Sequence, residues 1–181
     1  MGDVSFWQDK FVEEIMTGRL TLREIMAQAR QNWPEAESPG TNVILGLIRL
    51  NDILTEETRK VLGAFSLTQA GFEVLTTLRS QPEPRRMTPS ELYRSILISS
   101  GGMTKVLKQL EADGWILRED NPEDQRSRFV QLTDAGCRHA EASMQAVGQM
   151  EEGLLERSLT PEQVRHLGQT LLQAVEQLEK E

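Results

Sequence analysis

The segment from Thr88 to Leu132 restricts the fold more than any other, because it sets two short helices back to back and then changes its hydrophobic period. Thr88-Pro89-Ser90-Glu91 carries the signals of a helix start. A hydroxyl caps, proline takes the first helical position where it loses no hydrogen bond, and the glutamate completes a capping box. That helix carries Leu92 and Ile96 and is expected to end near Ile98. A second begins at Ser99 or Ser100, places Met103, Val106, Leu107 and Leu110 on one face, and stops at Gly114. Residues 115–120 then read as a strand, 121–127 as a turn-rich loop and 128–132 as a returning strand. A tight helix pair followed by a two-stranded wing is a winged helix-turn-helix.

Everything around that segment reads as helix. Phe6, Trp7, Phe11, Ile15 and Met16 recur at helical spacing ahead of Gly18, and Thr21 to Glu24 is a further capping box. Leu22, Ile25, Met26, Ala29 and Trp33 form a stripe behind it, and residues 34–40 are rich in breakers. From Asn42 a long helix carries Ile44, Leu47, Ile48, Ile53, Leu54, Val61 and Leu62, too many apolar positions for a solvated helix. Thr68 caps a helix that buries Phe72, Leu75 and Leu78. Thr133 starts a long helix to about Ser158, and Thr160-Pro161-Glu162-Gln163 opens the last one. The expected class is mostly α with a minor α+β part. Its expected division is an N-terminal helical extension (1–41), a helical dimerisation region (42–66 and 133–181) and a winged DNA-binding domain (67–132).

Composition excludes whole classes of function. No apolar run in the 181 residues approaches the roughly 18 a bilayer span needs, so no membrane partner is expected. One cysteine, Cys137, excludes an internal disulfide framework and suggests a reducing cytoplasm. Two histidines, His139 and His166, leave little for metal or triad chemistry; no phosphate-binding loop or nucleophile elbow appears, so no metal or cofactor and no catalysis are expected. Cys137 stands far from the N-terminus and reads as a structural thiol.

The net charge of −8 argues against nucleic acid as a partner of the whole chain, yet it is unevenly spread. Residues 85–128 hold 8 basic and 7 acidic groups, whereas 1–84 hold 8 and 12 and 129–181 hold 4 and 9. Within the middle segment, the second motif helix leaves Ser100, Gly101, Gly102, Thr104, Lys105 and Lys108 off its apolar face. Small, hydroxylic and cationic groups at a helix start suit close approach to base edges and phosphates in a major groove. Ser99 joins that turn, and Thr88 and Ser90 at the first motif helix are placed to donate to phosphates. Arg126 and Arg128 stand at the tip or returning edge of the wing, with Asp124 two residues before Arg126 to orient it. The bland alternatives are a solvated helix face and an ordinary charged turn.

In order, these elements resemble the multiple-antibiotic-resistance regulator (MarR) family. The resemblance is carried by Leu92 to Gly114, by Asp124 and Arg126 as the wing's D-x-R, and by Leu132, Thr133 and Gly136 as the LT-x-x-G helix start. It implies a homodimer with interlocked terminal helices, double-stranded DNA as partner, and a pseudo-palindromic operator repressed until a small ligand or oxidant relieves it. The Ser99 to Thr104 stretch and the N-terminal extension are most similar to the branch that includes urate-responsive regulators. That likeness implies a small aromatic or purine-like effector. Trp33 or Trp7 stands for the branch's tryptophan and Glu73 for its aspartate, with Arg49 as a further ligand contact; core packing for Trp33 and a solvated charge for Glu73 are the alternatives. The chain departs from the family in having Glu73 rather than aspartate, and Lys105-Val106 where Asn-Arg is frequent. Two rivals stay open: a helical interaction protein on the same scaffold, favoured by the acidic balance, and a small-molecule enzyme, which needs a pocket of titratable groups.

Overall fold

The computed structural model describes residues 20–96, 102–122 and 128–180. The expected first helix around Phe6 to Gly18 and its Trp7, the expected helix end at Ile98, the motif residues Ser99, Ser100 and Gly101, and the wing residues Asp124 and Arg126 lie outside them. The chain contacts itself in two units, 1–55 and 56–181.

In the first unit, α1 (Leu22–Asn32) starts on a reciprocal cap. The Thr21 amide donates to Glu24 Oε2 at 2.7 Å, and the Glu24 amide donates to Thr21 Oγ1 at 3.2 Å. A 3-10 turn (Pro34–Ala36) leads into α2 (Pro39–Gly63), which begins three residues before the expected Asn42. Pro39 fits there because the first helical positions need no amide hydrogen. No residue of α1 is buried, and Val43, Ile44, Leu47, Ile48 and Ile53 are exposed.

The second unit holds the core. α3 (Gln69–Arg79) is capped by Thr68 and buries Phe72, Val74, Leu75 and Leu78. They meet Leu62, Leu92, Leu107, Leu110, Ile116 and Val130, and Leu75, Leu78, Leu92 and Val130 are wholly inaccessible. After α3 the chain makes β1 (Arg86–Met87), then α4 (Pro89–Ser95), α5 (Met103–Ala112), β2 (Ile116–Asp120) and β3 (Arg128–Leu132). α6 (Asp134–Glu156) and α7 (Pro161–Leu178) complete the chain, each on its threonine cap.

The sheet is larger than expected, and three element bounds are corrected. The expected two-stranded wing, β2 paired antiparallel with β3, gains a third strand in a sheet of order β1-β3-β2, with Arg86 opposite Gln131 and Met87 opposite Val130. α4 stops at Ser95, where β-branched Ile96 is extended (φ −86°, ψ 128°) and does not continue the helix. α5 starts at Met103 and not at Ser99 or Ser100, because Gly102 sits at φ +107°, a left-handed conformation that no helix continues through. Trp115 precedes β2 rather than joining it. No helix among the described residues is long and apolar enough to cross a membrane.

Candidate nucleic-acid interface

α5 buries one side and offers the other, as its sequence requires. Leu107 and Leu110 face the core at 2% exposure, Met103 and Val106 are half-buried against it, and Thr104, Lys105 and Lys108 are exposed. The C-terminal end of α5 is tied down. Trp115 donates its amide to Leu110 O at 3.0 Å across Gly114, whose φ of +75° makes the turn. Thr133 then donates its hydroxyl to Gly114 O at 2.8 Å and its amide to Trp115 O at 3.1 Å. Gly136 completes this joint: a Cβ there would lie 2.0 Å from Trp115 O.

α4 and α5 each contribute to a cleft of about 550 Å³ walled by Ser90, Tyr93, Arg94, Met103, Thr104 and Arg118. Thr88 is engaged as a cap: its amide and hydroxyl both donate to Glu91 Oε2 at 2.8 Å. Those two donations, the amide first, hold the Glu91 carboxyl below the usual carboxylate range. The Thr88 hydroxyl proton is thus directed to Glu91 rather than towards a phosphate, whereas Ser90 is exposed.

Charge pairing separates the cations of this region. Arg85 pairs with Glu83, Arg86 with Glu119, Arg118 with Glu111 and Arg128 with Asp120. Arg94, Lys105 and Lys108 have no carboxylate within ion-pair distance among the described residues, and all three stand on the two motif helices. Sequence reasoning did not single out Arg94, although its spacing of four from Ser90 puts both on one face of α4. Arg128 lies at the returning edge of the wing, opposite Asp120 in the last cross-strand pair, with Nε 2.9 Å from Asp120 Oδ1. At the base of the sheet, Arg86 lies 4.4 Å over the Phe129 ring, a cation–π contact that individual residues do not announce.

The residues considered for an effector are placed separately. Trp33 is 66% exposed, so core packing within its own unit does not account for it. Arg49 donates to Leu20 O at 3.1 Å. Glu73 is half-buried and accepts from Gln69 Nε2 at 3.1 Å, which is not a freely solvated charge. Cys137 is buried and receives a hydrogen bond from Arg85 Nη1 at 2.8 Å. Among the described residues no group of His, Cys, Asp and Glu is arranged to hold a metal.

The described geometry has many counterparts. The MarR family model matches residues 67–127. The chain is 31% identical over 121 residues to the HTH-type transcriptional regulator PecS of Dickeya dadantii (strain 3937), covering 67% of this chain and 73% of that protein. It is 32% identical over 130 residues to the multiple antibiotic resistance protein MarR of Escherichia coli (strain K12), covering 70% and 88%. A mutant MarR from E. coli complexed with operator DNA superposes with a TM-score of 0.61 at 31% identity, covering 76% of this chain and 99% of that one. Sco3205 of Streptomyces coelicolor, solved in complex with DNA, shares the fold with a TM-score of 0.65 at 24% identity, covering 88% and 91%.

Proposed function

The chain belongs to the MarR family, a non-enzymatic family of transcriptional regulators, and on that premise we propose that it is a cytoplasmic repressor. In this reading it binds a pseudo-palindromic operator as a homodimer and is relieved by a small ligand. The observation that carries the DNA contact is the charge sorting within residues 85–128: among the described residues of that segment, the cations with no carboxylate partner are Arg94, Lys105 and Lys108, all on the two motif helices. Thr104, Lys105 and Lys108, with Ser99, Ser100 and Gly101 before them, read or grip the major groove. Ser90 and Arg94 hold the flanking phosphates, with Thr88 behind them as the cap that sets their helix. Arg126 and Arg128 anchor the wing, with Asp124 orienting Arg126.

Residues 42–66 and 133–181 are proposed as the dimerisation region. In support, α7 buries none of its residues within the chain while Leu172 and Leu178 are about two-thirds exposed or more, at 67% and 71%. An apolar stripe of that kind needs a partner. Two recognition helices must then sit about one turn, roughly 34–36 Å, apart for both to dock. For the effector we propose a small aromatic or purine-like molecule touching Trp33, Arg49 and Glu73, as the likeness to the urate-responsive branch implies. No cofactor enters the scheme.

Selecting bound duplexes from a random pool, with and without aromatic acids and purines, tests the proposal. Enrichment of an inverted repeat, lost on adding one of these molecules, is the expected result. Binding that is absent or indifferent to salt supports the rival interaction module, because phosphate contacts release counterions. Lys105→Ala should change which sequences are recovered as well as weaken binding; equal losses on all duplexes would reduce Lys105 to a phosphate contact. Arg126→Ala should weaken all duplexes alike and leave the dimer intact on a sizing column, and unchanged affinity would remove the wing from the interface.

A further inference from the structure

We propose that His139 is a positioning residue that sets the tilt of α5 by clamping the residue at its exit to the end of α2. The inference rests on the reading of α5 as the DNA-reading helix. Its observations come from three stretches within residues 56–181 that meet on one imidazole.

Trp115 is in effect the last rigid piece of α5, since its amide closes on Leu110 O and its carbonyl is held by Thr133. Its indole lies against the His139 ring, with centroids 4.0 Å apart and planes 17° from parallel. On its other side His139 meets Phe65 edge-on, at 5.7 Å and 70°. His139 Nε2 stands 3.1 Å from Phe65 O. A carbonyl only accepts, so Nε2 carries the hydrogen and donates it. Phe65 in turn moves with α2, because its amide donates to Leu62 O at 3.0 Å and Leu67 donates to the same carbonyl at 3.1 Å.

One side chain on α6 therefore stacks on the exit of α5 and hydrogen-bonds the exit of α2. An aliphatic residue would fill the space without the tether, and a polar residue without a ring would give the tether without the stack. The lever is long: ten helical residues span about 15 Å, so a tilt of about 10° at Trp115 moves the Met103 end by roughly 3 Å. A shift of that size is as large as a hydrogen bond is long, and it would take side chains off base edges. His139 is on neither the exposed face of α5 nor the cleft beside α4, so its effect on DNA must pass through this clamp.

The test uses the full chain and two DNA probes: the tightest duplex selected by the unaltered protein, and that duplex with one base pair inserted between its half-sites. His139→Phe keeps a ring and loses the donor, His139→Gln keeps a donor and loses the ring, and His139→Ala loses both. His139→Phe and His139→Ala are expected to bind the selected duplex about ten-fold more weakly and to lose most of the preference against the inserted base pair. His139→Gln, which keeps the bond to Phe65 O but no longer holds Trp115, should lose that preference as well. Hydrogen exchange over residues 103–112 and the emission of Trp115, made the sole tryptophan by Trp7→Phe and Trp33→Phe, report the clamp without DNA. Faster exchange in all three variants and a shifted emission in Gln and Ala are expected. If no variant changes the spacing preference, the exchange or the emission, the clamp is wrong. If the unaltered protein selects no DNA while exchange and emission respond as stated, the clamp stands and the DNA reading fails.

Discussion

Gly136→Ala is expected to lower the stability of the second unit by about 3 kcal/mol. Overpacking is usually relieved by a side chain swinging aside, and here that escape is closed. The new methyl would lie 2.0 Å from the carbonyl oxygen of Trp115, 2.9 Å from its carbon and 3.0 Å from Leu132 Cδ1. Two of these three atoms are main chain, and that main chain is held by Thr133 on one side and by α5 on the other. The change also threatens the joint that orients α5. Urea unfolding followed by circular dichroism checks it: the midpoint should fall with little change in slope. Gly148 is the contrasting position, since a Cβ there meets nothing within 4 Å in the chain. An unchanged midpoint for Gly136→Ala would mean that the first turn of α6 does not press on Trp115.

Helix starts were legible because caps are local. Thr21, Thr68, Thr88, Thr133 and Thr160 each bond the third residue onward, so a few letters of sequence contain the whole signal. Strand β1 was not legible. It is two residues long, and its pairing to Gln131 and Val130 depends on residues far along the chain. The start of α5 was misread because two adjacent glycines permit more than one point of entry, and only the φ of Gly102 decides between them. For the interface, Lys105 and Lys108 followed from the period of the buried leucines. Whether a cation is free or already paired is a three-dimensional property, which is why Arg94 was missed and Arg128 arrived with Asp120 attached. Glu73 shows the same limit, since helical spacing alone does not distinguish a half-buried glutamate from a solvated one.

Removing the unpaired cations together should have the largest effect on DNA. Arg94→Ala, Lys105→Ala and Lys108→Ala combined are expected to weaken binding by more than about 100-fold at 0.1 M salt, because each released counterion contributes about 0.9 to the logarithmic salt slope. The slope itself should fall by up to about 2.7 for each winged unit that docks. Arg86→Ala with Arg118→Ala provides the comparison. Both residues are ion-paired, with Glu119 and Glu111, and exchange little charge with a duplex until those pairs open. A filter-binding titration over a range of potassium chloride separates the two cases. Equal slopes for the two multiple variants would overturn the role given to the unpaired set.

The placement of β1 has one more consequence. The chain leaves the sheet at Met87, makes both motif helices, and re-enters the same sheet at Ile116, with β3 lying between and bonded to each end. The helix pair is therefore a cassette whose two ends are stapled to one strand. Exposed residues can be exchanged inside such a cassette, or the whole of 88–115 swapped with that of a relative, while the mounting stays as it was. If the proposed DNA reading holds, new sequence preferences can arise by drift within a closed loop, and grafting at those two junctions is the way to exchange one preference for another.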